Sequence, residues 1–397
     1  MATQMVRDAA ESGFAEEMDL AVQTPPVAGD AVQARVRRAL AAIAAGQPVV
    51  VVDDADRENE GDLVFAAEFA TSELVAFTVR HTSGYVCVAL QEDDCERLRL
   101  PPMHHTDEDR FRTAYRVTVD LIGTGTGISA AARARTIAAL AAADAQPSQF
   151  SRPGHVVPLQ AEEGGVLRRP GHTEAAVDLA RLAGLRPAAA LCAIVSADRP
   201  GEMARDTELI RFAAEHDLAL LSITDLIAFR KRTEPQVVRA VTTSLPTRHG
   251  SFRAIGYREV TNGSEHVALV TGDIDDEIGV PVHVHEECLT GDVLGSMRCD
   301  CGAALDEAMA IVSEQGCGVV IYARPSGLAR ACGLLDPAVG VVRLAAAELA
   351  AWILTDLGVG SVRPVGWAEE VGAILESYGF HIEPGSEGLP TLRTAVG

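Results

Sequence analysis

Apolar residues recur at helical spacing through 31-AVQARVRRALAAIAAG-46, and Gly46 supplies a stop, which predicts a helix over 31–46. The short β-branched run 48-PVVVVDD that follows reads as a buried strand ending in an acidic loop. Further strands are predicted at 85-YVCVAL, 115-YRVTVDL and 189-AALCAIVS, and helices at 128-ISAAARARTIAALAAA-143, 173-TEAAVDLARLAGL-185 and 205-RDTELIRFAAEHDL-218. The charged, Pro-containing stretch 231-KRTEPQ-236 marks a boundary. Beyond it, strands are predicted at 237-VVRAVTTSLPT, 252-FRAIGYREV, 266-HVALVTGDI and 318-GVVIYAR, with helices at 303-AALDEAMAIVSEQG-316, 344-LAAAELAAWILTDLG-358 and 368-AEEVGAILESYGF-380. No repeat of fixed period is present. Both halves mix strands and helices, so the fold class is α/β or α+β in each.

A chain of 397 residues argues for two domains, and 48% hydrophobic residues can fill two cores. The expected division is a flexible segment over 1–30, a first domain over 31–232 and a second over 237–397. The formal charge of −22 speaks against nucleic-acid and anionic-membrane partners, while leaving room for a small phosphorylated substrate in a local basic pocket. The eight cysteines form no disulfide framework, and neither a secretory signal nor a membrane-length apolar run is evident. A cytoplasmic protein with reduced thiols is expected.

Two stretches of the first half carry chemistry. In 53-DDADRENEGD-62 six of ten residues are acidic. A charge run of this kind is most often a solvated turn. Carboxylates held together need a cation, protonation or solvent, and Mg²⁺ is the natural hard partner. The second stretch comprises 152-RPGHVVP-158 and 168-RRPGHTEAAVDL-179, two Arg-preceded, Gly-flanked histidines read as loops. His172 precedes a predicted helix, whose free backbone N–H groups can hold phosphate; Thr173 can cap it and Glu174 can act as acid or base.

Together with 80-RHTSGYVC-87, 127-GISA-130, 163-EGGVLRRPGHTEAAVDLARLAG-184 and 203-MAR-205, these stretches closely resemble 3,4-dihydroxy-2-butanone 4-phosphate synthase of riboflavin biosynthesis, almost continuously over 31–232. The resemblance implies an α/β fold, a Mg²⁺ (or Mn²⁺) ion, ribulose 5-phosphate as substrate, and a homodimer with sites near the subunit interface. Carried over by position, Glu58 and His172 hold the metal. Arg57, Glu58, Asp62, Thr106, Arg133 and the loop Arg169, Gly171, His172, Thr173 bind substrate. His155, Glu174, Cys87 and Asp62 are the catalytic candidates.

The departures matter as much. Ala193 stands where the family has a catalytic Glu, Ala132 replaces an Asp, and the substrate loop becomes 105-HTDEDRFRTAYRV-117, longer and richer in arginine. An alanine cannot move a proton. Another group takes over, the reaction stops early, or the substrate differs.

In the second half, 283-HVHEECLTGDVLGSMRCDCG-302 brings Cys288, Cys299 and Cys301 together, three thiolates of the number that hold a catalytic Zn²⁺ with water in the fourth position. Reduced, packed cysteines are the plain alternative. This half resembles GTP cyclohydrolase II through 266-HVALVTGDI, HEECLTGD, SMRCDCG and 355-TDLGVGSVR, an α+β fold. The resemblance fades near residue 322. The family's Arg-Gln-Glu-Gly-Arg loop becomes 324-RPSGLARACGLL-335, its Asp-x-Arg pair has no counterpart between 336 and 350, and Ala304 and His283 replace a Gln and an Arg. An inactive cyclohydrolase half with a structural, interfacial or regulatory role is expected. Three readings remain: a synthase of full, truncated or altered chemistry; a non-catalytic scaffold; and a GTP cyclohydrolase, which the missing residues oppose.

Overall fold

In the computed structural model the described residues are 28–104, 110–275, 277–325, 330–332, 334, 339–366 and 369–384. The first half runs α1 (Ala28–Ala44), β1 (Val49–Val52), β2 (Gly61–Ala66), α2 (Ser72–His81), β3 (Cys87–Leu90), α3 (Glu92–Arg97), β4 (Ala114–Tyr115), β5 (Val119–Leu121), α4 (Ala130–Ala141), β6 (Phe150–Gln160), α5 (His172–Leu182), β7 (Ala189–Ala193), α6 (Asp206–Glu215), β8 (Ala219–Ser222) and α7 (Ile223–Thr233). The second runs β9 (Val237–Thr247), β10 (Gly250–Glu259), β11 (Glu265–Thr271), β12 (Val280–Glu286), α8 (Cys301–Gln315), β13 (Gly318–Ala323), α9 (Val339–Asp356), β14 (Ser361–Pro364), α10 (Glu369–Ser377) and β15 (His381–Ile382).

The first sheet is mixed, in the order β4-β6-β3-β7-β2-β1-β8, with β5 pairing β6. Its central strands are apolar on both sides because helices cover both faces. On one face Val64, Cys87, Ala89 and Leu191 pack against α1, α5 and α7 through Val36, Ile43, Leu179 and Leu226. On the other, Phe65, Val88, Ala190 and Cys192 meet α2 and α4 through Val75, Ile137 and Leu140. The second sheet, β15-β14-β12-β13-β11-β10-β9, carries α9 and α10 on one face and α8 on the other. Trp352 Nε1 donates to the Lys231 carbonyl at 3.0 Å, and Arg168 donates to the Thr261 carbonyl in the β10–β11 turn, so the two halves touch.

Several expectations need correction. The segment 152–158 is not a loop but the middle of β6, sheltered by the β5 partner despite its two prolines and glycine. Strand β2 was not foreseen, since it begins Gly-Asp. The strand predicted at 115–121 divides into β4 and β5.

Candidate active site and thiolate centre

The acidic loop is folded by its own first residue. Asp53, buried at the end of β1, accepts the backbone N–H of Glu58 at 3.0 Å and of Glu60 at 2.9 Å, and Arg57 Nη1 at 2.9 Å. Asn59 takes the left-handed φ of 52° that turns the chain back toward β2. Arg57 also pairs with Glu58 at 2.6 Å. The run is thus a turn, solvent-exposed over Asp54 to Asp56, whose two ends are bonded into a cradle around Asp53.

His172 opens α5 beneath this cradle. One oxygen from Asp53, one from Glu58 and a ring nitrogen of His172 lie within 4.8 Å of one another. His172 is buried, and its Nε2 has no hydrogen-bond partner among the described residues. A buried polar atom left unsatisfied costs free energy, so it calls for a ligand. Two carboxylates and a neutral imidazole suit a divalent cation, and the residues therefore fit Mg²⁺ or Mn²⁺.

The other side of the site is built at the N-terminus of α5. Gly171 caps the helix in extended backbone. A Cβ there would stand 2.5 Å from Arg169 Nη1 and 3.0 Å from Arg57 Nη2, so only glycine lets both guanidiniums converge on the free helix end. Arg169 is held by Glu174 and by the Phe111 carbonyl at 2.8 Å and Thr113 Oγ1 at 3.1 Å. The Arg57 guanidinium lies 5.3 Å from the Phe111 ring centroid.

Asp62, on β2, lies across the ladder from Ala193 on β7. Strand alternation points both to the α5 face. Burial pushes the Asp62 carboxyl above its ordinary range, with Glu58 and Asp53 adding to the rise and His172 and Arg57 opposing it. Cys87 lines the same face, and burial raises its thiol well above the usual value, which keeps it protonated and disfavours it as a nucleophile.

His155 lies elsewhere in the sheet. Its Nδ1 donates to Asp120 Oδ2 at 2.6 Å, and its backbone N–H to Asp120 Oδ1 at 2.9 Å, an orienting pair that leaves Nε2 as the acceptor. Strand β6 is three strands from β2, roughly 14 Å. Arg133 sits on α4, whose core-facing residues cover the opposite face, where it is buried and donates to the Gly84 carbonyl at 3.0 Å; the chain does not bring it to the metal cradle. Glu174, expected as acid or base, is committed to Arg169 and to the backbone N–H of Glu162 at 3.0 Å. Thr173 is buried in the first turn of α5. Thr106 lies outside the described residues.

In the second half Cys288, Cys299 and Cys301 do converge, and Cys332 joins them, all four sulfurs lying within 4.8 Å of one another. A cavity of about 150 Å³ between this half and α7 is lined by Glu259, Glu286, Glu287 and Glu348 against Lys231, Arg324 and Arg330. Arg330 reaches Glu286 at 3.2 Å, and Arg324 reaches Glu287 at 3.2 Å.

Residues 37–229 match the family model of 3,4-dihydroxy-2-butanone 4-phosphate synthase, and 238–336 that of GTP cyclohydrolase II. The riboflavin biosynthesis protein RibBA of Salinispora arenicola is 62% identical over 290 residues, which cover 73% of this chain and 69% of that protein. The chain belongs to the RibBA family. The RibBA of Mycobacteroides abscessus is 51% identical over 393 residues, covering 90% of this chain and 94% of its own length. Among solved structures, RibBX of A. baumannii, described as a two-domain 3,4-dihydroxy-2-butanone 4-phosphate synthase, superposes with a TM-score of 0.67 at 36% identity, over 89% of this chain and all of that one. Within the RibBA family the synthase reading stands, and the scaffold reading is not favoured.

Sequence reasoning missed Asp53, Asp120 and Cys332. Asp53 looked like one more charge in the run, and Asp120 carries no local signal beyond its place in a strand.

Proposed function

We propose that the first domain, 31–232, converts D-ribulose 5-phosphate to 3,4-dihydroxy-2-butanone 4-phosphate and formate, with Ala193 shifting the proton transfers onto Asp62. The observation that carries this reading is a His172 ring nitrogen within 4.8 Å of one oxygen each of Asp53 and Glu58, on a buried ring whose Nε2 has no hydrogen-bond partner among the described residues, beside two guanidiniums gathered at one helix end. A cation held there supplies positive charge for the sugar oxygens as they become anionic. Arg57, Arg169 and the N–H groups of His172 and Thr173 at the start of α5 anchor the phosphate and fix the sugar over the sheet. Asp62 is the direct cross-strand partner of position 193, and its upward shift suits a group that both takes and returns a proton. Glu174 is a positioning residue that holds Arg169.

His155 and Asp120 complete the site from a second copy. Their distance from the cradle supports a homodimer, as does the exposed apolar edge formed nearby by Tyr85, Ile122 and Ile128. All eight cysteines are free, which suits the cytoplasm. No helix among the described residues is long and apolar enough to cross a membrane.

The second domain has given up GTP hydrolysis in this proposal. A cavity of about 150 Å³ offers a triphosphate little room, and its four glutamates, Glu259, Glu286, Glu287 and Glu348, outnumber the cations Lys231, Arg324 and Arg330 that line it. Its role is to brace the first domain through Trp352 and the Thr261 turn.

Incubation of the full chain with uniformly ¹³C-labelled ribulose 5-phosphate and Mg²⁺ tests this by NMR. Formate with a four-carbon phosphate, abolished by EDTA, is expected. A five-carbon product without formate overturns the assignment of the proton transfers to Asp62. Substrate binding without turnover, or GTP consumption, overturns the proposal.

A further inference from the structure

The three-cysteine pattern of the sequence points to a zinc ion with one position open to water, and the structure fills that position. Cys288 is fully buried beyond β12 and accepts the Gly291 N–H at 3.4 Å, a backbone bond of the kind that steadies a thiolate. Cys299 and Cys301 approach from the start of α8. Cys332 is brought in by two bonds that sew its segment to the Cys288 turn: the Leu289 N–H donates to the Arg330 carbonyl at 2.8 Å, and Thr290 Oγ1 to the Cys332 carbonyl at 3.1 Å.

The sulfur spacings match a metal and not a disulfide. Cys288 and Cys299 are 3.9 Å apart, as are Cys301 and Cys332, against roughly 2 Å for a bonded pair. Four sulfurs at about 2.3 Å from a tetrahedral zinc stand about 3.8 Å from one another. The backbone is shaped to allow this closeness. A Cβ on Gly291 would stand 2.9 Å from both Cys299 Sγ and Cys301 Cβ, and one on Gly302 would stand 2.4 Å from the Gly291 carbonyl oxygen.

We infer that Cys288, Cys299, Cys301 and Cys332 form a closed four-thiolate zinc site, in which Cys332 occupies the position a catalytic site leaves to water. Such a site holds the β12–α8 connection and the segment around Cys332 together and supplies no activated water. This concerns the second domain alone and stands whether or not the first domain turns over ribulose 5-phosphate.

The test is zinc-edge X-ray absorption on the full chain as purified, with metal content measured alongside. One zinc per chain with four sulfur neighbours at about 2.3 Å is expected. In Cys332→Ser the shell becomes three sulfurs and one light atom, and zinc passes to a competing chelator at least about tenfold faster. Cys317→Ser, at a free cysteine outside the cluster, leaves shell and exchange rate unchanged. Should Cys332→Ser fail to fold, Cys332→His restores a fourth ligand and gives three sulfurs and one nitrogen. A wild-type shell of three sulfurs and a light atom, or absence of zinc from the purified chain, overturns the inference.

Discussion

Replacing Ala193 by glutamate returns a carboxyl to the face where Asp62 stands, and the register sets both what it adds and what it costs. The two residues are direct cross-strand neighbours, so their Cβ atoms lie about 5 Å apart. The side chain is long enough to reach over the Asp53, Glu58 and His172 cradle. A second acid–base group is worth about 10²- to 10⁴-fold in rate, or about 3–5 kcal/mol of barrier. Against this, two ionised carboxylates about 5 Å apart repel by roughly 3 kcal/mol at an effective dielectric constant near 20. Asp62 is already raised by burial, so the variant folds less stably without metal, and Mg²⁺ raises its melting temperature more than that of the wild type. Formate release at saturating ribulose 5-phosphate and Mg²⁺ is the assay, with Ala193→Gln as a control of equal size that moves no proton. A glutamate variant no faster than the glutamine variant would refute the reasoning, since Ala193 would then not limit the chemistry.

Gly171→Ala keeps the backbone, because its new methyl meets only the side-chain ends of Arg169, Glu174 and Arg57, but it parts the guanidiniums; losing one charge-assisted bond of about 2 kcal/mol raises KM for ribulose 5-phosphate about thirtyfold, and a KM within threefold of wild type contradicts the phosphate assignment. Mixing His155→Ala with His172→Ala, each inactive alone, returns on the order of a quarter of wild-type turnover if each site draws on two copies, and none if it does not. His283 is buried, with Nδ1 donating to the Val365 carbonyl at 2.6 Å, and burial lowers its pKa to about 4. Between the ordinary value near 6.5 and about 4 the unfolded chain binds the proton and the native chain does not, so this histidine's contribution is whole above pH 6.5 and shrinks as pH falls, by about 3 kcal/mol at most. Denaturant unfolding followed by tryptophan fluorescence reports on the second half, where both tryptophans lie, and His283→Asn flattens the loss between pH 7 and 4.5; an unchanged slope rejects the assignment.

The acidic loop and the Gly-His turn were legible because their chemistry is local: carboxylates, arginines and glycines sit within a few residues of the groups they serve. The strands they join were less so. Strand β6 carries Pro153, Gly154 and Pro158, which read as loop; the strands at 85–90 and 115–121 were legible, but no local pattern announces that they pair with 150–160. The Asp120 partner of His155 is 35 residues away, and Cys332 lies 31 residues beyond Cys301. Spacing rules apply to ligands on one turn and not to a chain returning across a fold. The fate of Glu174 was hidden for a related reason: a carboxylate one turn into a helix looks available until the arginine folded over it is seen.

The bond from Arg168 to the Thr261 carbonyl joins the residue beside Arg169 to a hairpin of the other sheet. A contact of this kind works in both directions. If phosphate binding draws the Arg169 loop inward, the hairpin feels the shift, and anything that stiffens the hairpin changes phosphate affinity by the same factor. The second domain can in this way set the affinity of its neighbour whatever reaction of its own it carries, so deleting it alters more than stability.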